Sequence, residues 1–115
     1  MASFEAFFYD VGGEVFLLDS QSLIIENFTY EGVAPDAFLI GGLSGEPNDD
    51  PDVILAFPFE GDHFVYSNRS IPVWRKFDGT RSMVLTMPPN INVLDLKWLS
   101  IWCRAFGVNF GQALF

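Results

Sequence analysis

Cys103 is the single thiol of the chain and His63 the single histidine. Most side-chain chemistry would therefore have to run through one of them or through the carboxylates. A redox or nucleophilic cysteine acts as its thiolate, which a cationic neighbour or a helix N-terminus favours, and it needs access to its partner. Arg104 follows Cys103 directly. One histidine cannot make a His-pair metal site, and a catalytic triad would have to join it to Asp62 or to a distant serine. No motif surrounds it, so it reads as a surface residue. Glu46, Asp49, Asp50 and Asp52 could offer carboxylate oxygens to calcium. Their spacing lacks the regular ligand pattern with glycine, and Pro47 and Pro51 interrupt it, so the run reads as a solvated loop. Met83 and Met87 share a strand face with Leu85; thioethers can ligate copper or haem iron, but methionine there is far more often a core filler. No metal, no cofactor and no catalytic set is expected from these residues.

Cys103 is positioned by the stretch from Val93 to Gly111, which also holds two of the three tryptophans. From Trp98 the residues fall into two alternating sets: Trp98, Ser100, Trp102 and Arg104 against Leu99, Ile101, Cys103 and Ala105. Period two predicts a β-strand. On it Arg104 points away from Cys103, whose face is apolar and disfavours a thiolate. A buried, unreactive thiol is the expectation. Phe106, Val108 and Phe110 then form a second strand, or the same strand beyond a bulge at Gly107. Leu94 to Trp98 suits a short helical turn. The large indoles mark this strand as the structural centre, with two sheets packed around Trp98 and Trp102.

The rest of the chain punctuates often. A turn followed by a strand within Tyr9–Asp19, a hairpin turn at Asp19–Ser22 and a returning strand over Leu23–Tyr30, whose faces are both mixed, form a hairpin. Short strands follow at Ala37–Ile40, Val53–Phe57, Ser70–Trp74 and Ser82–Met87, with Gly61–Asn68 ambiguous. Pro72 makes the third of these an edge strand, since it cannot donate to a ladder. Turns recur about every ten residues and no helical period appears, so the chain is predicted to be an all-β antiparallel sandwich or small barrel.

One domain over 1–115 is the natural count, with 1–8 standing apart as a leader or added start. Thirteen phenylalanines in a half-apolar chain supply a core without disulfide or metal. A formal charge of −9 repels phosphate backbones and anionic membrane surfaces, so nucleic acid and membrane insertion are not expected. A neutral polysaccharide or a basic protein remains open. No basic segment opens the chain, so it has no signal peptide; it is cytosolic, or a domain cut from a longer secreted protein. The sequons at Asn27 and Asn68 favour the secreted origin. Trp74, on the edge strand, and Tyr66 are the candidates for stacking on sugar rings.

Two motifs carry a family resemblance. Phe28, Tyr30, Gly32, Pro35 and Asp36, within Asn27–Ala37, follow the pattern Phe-x-Tyr-Asp-Gly-x-Gly-Pro-Asp-Ala, with Glu31 and Ala34 departing from it. Trp98, Trp102, Cys103, Asn109, Phe110 and Gly111 belong to a closing Trp-Leu-Ser-Ile-Trp-Cys…Val-Asn-Phe-Gly run. With Val11-Gly12-Gly13, the chain resembles the DM-thirteen domain of Skeletor-like and Knickkopf-like proteins over nearly its whole length. A histidine frequent before the Val-x-Gly motif is missing, with Tyr9 near its place, so any role of that residue is lost. The resemblance implies a non-catalytic extracellular accessory module beside a DOMON-type domain, organising chitin or other cuticle matrix through protein or polysaccharide contacts. It also implies a rival reading, electron transfer through Cys103 with the DOMON partner.

Overall fold

The computed structural model describes residues 2–57, 63–66 and 68–115, with His63 described in its backbone alone. Two five-stranded antiparallel sheets face each other. The first runs β1 (Ala2–Ser3), β3 (Gly12–Asp19), β4 (Ser22–Tyr30) and β10 (Met83–Thr86), with β9 (Phe77–Asp78) also paired to β4. The second runs β2 (Glu5–Ala6), β12 (Val108–Leu114), β11 (Trp98–Cys103), β5 (Ala37–Gly42) and β6 (Val53–Leu55). A separate hairpin joins β7 (His63–Tyr66) to β8 (Arg69–Pro72). Among the described residues the only helical element is a 3-10 turn over Val93–Asp95, which shares Leu94 and Asp95 with the turn expected over Leu94–Trp98, while Trp98 already opens β11. The all-β sandwich is thus as the alternation implied.

The mixed faces of β4 have a cause. Leu23 and Ile25 are buried, and so are Phe28 and Tyr30, which a regular strand would place on the opposite side. Asn27 stands between them at φ 55°, and the register against β3 slips between Gly12 and Glu14. A bulge there turns the strand by one residue and keeps apolar side chains inside on both halves.

Between the sheets lie Val15, Leu23, Ile25, Met83 and Leu85 from one side and Leu39, Leu99, Ile101 and Phe110 from the other. Trp74 follows β8 rather than forming an edge strand, and its ring sits 5.5 Å from Phe28 and 5.3 Å from Phe77. Trp98 and Trp102 are therefore not the centre of the inter-sheet core, contrary to the sequence expectation. They lie on the outer face of the second sheet in a smaller cluster with Phe38, Ile40, Tyr66, Ile71 and Val73. The parity was right and the side was not, because the β7–β8 hairpin supplies a second apolar cover that alternation cannot foresee. Within residues 2–6, β1 and β2 extend one sheet each, and Phe4 is in the core.

Candidate functional site

The outer face of the second sheet is divided. Over β5 and β11 it is apolar and covered by the hairpin. Over β11, β12 and β2 it is polar. A bulge makes that second half: Ile101 pairs with Gly111 and Trp102 with Asn109, leaving Phe110 as the extra residue on β12. Phe110 turns into the core, so Asn109 and Gln112, three residues apart, share the outer face with Ser100.

These side chains are linked in one direction. The Ser100 hydroxyl donates to Asn109 Oδ1 at 2.7 Å, which also accepts the Gly111 amide at 3.1 Å. Asn109 Nδ2 donates to Gln112 Oε1 at 3.0 Å, and Gln112 Nε2 donates to Glu5 Oε1 at 3.3 Å. A backbone N–H can only donate and an ionised carboxylate can only accept, so the two ends fix both amide orientations. Ser100 is fully buried and satisfied by this chain of bonds. Beside the ladder opens a groove of about 590 Å³, bordered by Glu46 and Pro47 of the acidic loop, Lys97, Leu114 and Phe115. The loop is held by the Trp98 indole, which donates to the Ser44 carbonyl at 3.1 Å, and by Asp52, which accepts the Leu43 amide at 2.7 Å.

Cys103 closes β11 and is fully buried. It packs in the same cluster as Leu99 and Ile101, as its parity implied, whereas Ala105 is exposed in the turn that follows. Arg104 turns away to lie 3.6 Å from Asp36 Oδ2, with its guanidinium 4.8 Å above the Tyr66 ring. The Tyr30 phenol is buried in the same core cluster as Cys103. Its hydroxyl is buried without a hydrogen-bond partner in bonding geometry, and its ring stacks on Phe110. Burial pushes its pKa up to about 12, and the Ala34 backbone moderates the rise.

The family-motif residues thus serve different ends. Phe28, Tyr30 and Phe110 fill the core. Gly32 has φ 73°, and a Cβ on it would lie 2.2 Å from the Lys76 backbone nitrogen. Asp36, next to Pro35, pairs with Arg104, and a Cβ on Gly111 would strike Val11. Trp98 and Trp102 line the outer cluster, and Asn109 is the hub of the polar ladder.

Trp74 and Tyr66 do not offer stacking faces, which corrects the sequence expectation. Trp74 is fully buried, its indole donating to the Leu55 carbonyl at 3.2 Å. Tyr66 is buried against Phe38, with its hydroxyl donating to the Asp49 carbonyl, and burial raises its pKa. Asn27 and Asn68 are both exposed and both in the left-handed region. Met83 and Met87 are core residues. Among the described residues no group of three or more His, Cys, Asp or Glu gathers as a metal site. The His63 side chain and Asp62 lie outside the described residues. Glu5, Lys97, Ser100 and Gln112 were missed from sequence. The grouping of Ser100 with the tryptophans was the one signal available.

Comparison with known proteins matches the family described as "Electron transfer DM13" over residues 3–115, and the chain belongs to that family. It is similar to Protein Skeletor of Drosophila melanogaster, isoforms B/C and isoforms D/E, at 29% identity over 104 residues in each case. That alignment covers 90% of this chain but 12% and 6% of the two relatives, so the chain spans a small part of their length. No solved structure matches it.

Proposed function

Taking membership of the DM13 family as the premise, we propose that the chain is a non-catalytic accessory module of a larger extracellular protein. It helps organise a chitinous or similar matrix by recognition rather than turnover. The observation that carries this reading is the division of the second sheet: Cys103 is sealed on its inner face while Asn109 and Gln112, linked in a ladder with Ser100 and Glu5, border an open groove on its outer face. Partners are a DOMON-type neighbour, matrix protein or polysaccharide; a charge of −9 disfavours polyanions. The test is co-sedimentation of the domain with insoluble chitin and with a cuticle protein extract, for wild type and Cys103→Ala. Retention of both proteins supports recognition. Retention by neither matrix, or loss in Cys103→Ala with the fold intact, contradicts it.

One observation favours a second reading, redox action through Cys103. The family's description names electron transfer, and the unpartnered Tyr30 hydroxyl lies in the same buried cluster as Cys103. Such a role needs the thiol to reach a partner, and burial stands against it.

A further inference from the structure

We infer that the groove beside the polar ladder is a subsite for a neutral, hydroxyl-bearing saccharide unit, with Asn109, Gln112 and Lys97 as its donors and Phe115 as its stacking wall. The inference rests on the recognition reading above and specifies its ligand and surface. Each primary amide carries two N–H donors, and the ladder uses one from Asn109 and one from Gln112. One N–H of each therefore remains for a ligand. Both amides are held in register by the backbone amide at one end and Glu5 at the other, so little ordering entropy is lost on binding.

Lys97 forms no ion pair among the described residues and adds an ammonium donor at the rim, while Glu46 adds an acceptor. Sugar hydroxyls both donate and accept, which matches this mixed edge better than a purely anionic or purely apolar ligand does. Leu114 and Phe115 are exposed at 56% and 41%, offering an apolar wall against which the C–H face of a pyranose can lie. A volume of about 590 Å³ falls within the usual range of small-ligand sites. The acidic balance argues against sulfated or uronic polymers, whose charges would meet Glu46 at the groove and Glu5 behind Gln112.

The experiment is a nitrogen-15 NMR titration of the chain with soluble chito- and cello-oligosaccharides, with a sulfated oligosaccharide and an unrelated neutral peptide as controls. The expected result is movement of the Asn109 and Gln112 side-chain amide signals with a neutral oligosaccharide. Gln112→Ala and Lys97→Ala should each weaken binding roughly tenfold, the loss of one hydrogen bond. Asn109→Ala is avoided as sole evidence because it also removes the acceptor of the Gly111 amide. Absence of groove shifts at millimolar oligosaccharide, shifts confined to another face, unchanged affinity in both folded variants, or response to the sulfated sugar or peptide alone would overturn the inference. If the domain sediments with matrix but ignores oligosaccharides, this inference fails while the recognition reading stands. If it sediments with neither matrix, that reading fails, whatever the groove binds in solution.

Discussion

Tyr30 shows how a residue can be legible in type and illegible in consequence. Its place in a motif was visible in sequence, but its orphaned hydroxyl follows from tertiary packing. The folded state holds the phenol neutral up to about pH 12, whereas an unfolded tyrosine titrates near 10.0. Between these values the folded chain binds more protons than the unfolded one, so stability falls as pH rises through that window and is fully present below it. Tyr30→Phe removes the group. We expect urea unfolding to show equal or higher stability for the variant, by up to about 1 kcal/mol, and a weaker loss of stability between pH 10 and 12 than wild type. Asn68 yields a second residue-level test. It is exposed beside the turn of the β7–β8 hairpin, so expression through a secretory pathway should add a glycan that Asn68→Gln removes, read as a mass shift.

Among elements, β11 was read most fully from sequence. Its two faces and the burial of Cys103 follow from period two, but alternation carried the strand on through Ala105, whereas the chain turns after Cys103. The bulges at Asn27 and Phe110 were not legible, because an extra residue is visible only against the partner strand that it fails to match. Those bulges decide which side chains reach the core and which reach the groove, so the candidate site was less legible than the fold. Trp74 failed for a related reason. A Pro72-based edge assignment was correct for β8, yet the chain leaves the hairpin after Pro72 and carries the indole into the interior. The link between the acidic loop and β11 can be tested at Gly42, where a Cβ would lie 2.3 Å from the Trp98 ring. Gly42→Ala should cost about 2 kcal/mol in urea unfolding through overpacking. Gly45→Ala meets nothing within 4 Å and carries only the strain of φ +71°, about 1 kcal/mol.

For the whole molecule, composition sets an expectation about partners. A chain of charge −9 that recognises a neutral polymer through hydrogen bonds and stacking should bind it with little salt dependence. Raising sodium chloride from about 0.05 to 0.5 M should leave retention on chitin within twofold, whereas attachment through a basic matrix protein should weaken steeply as its charges are screened. The architecture separates a sealed thiol from an open polar groove on opposite faces of one sheet, and that separation is what favours recognition over electron transfer. Its most direct test is titration of Cys103 with a colorimetric disulfide reagent at neutral pH, folded and then denatured. The account predicts negligible reaction over minutes in the folded chain and one thiol per chain in denaturant. Rapid reaction of the folded chain, or a sulfenic acid trapped by dimedone, would contradict it.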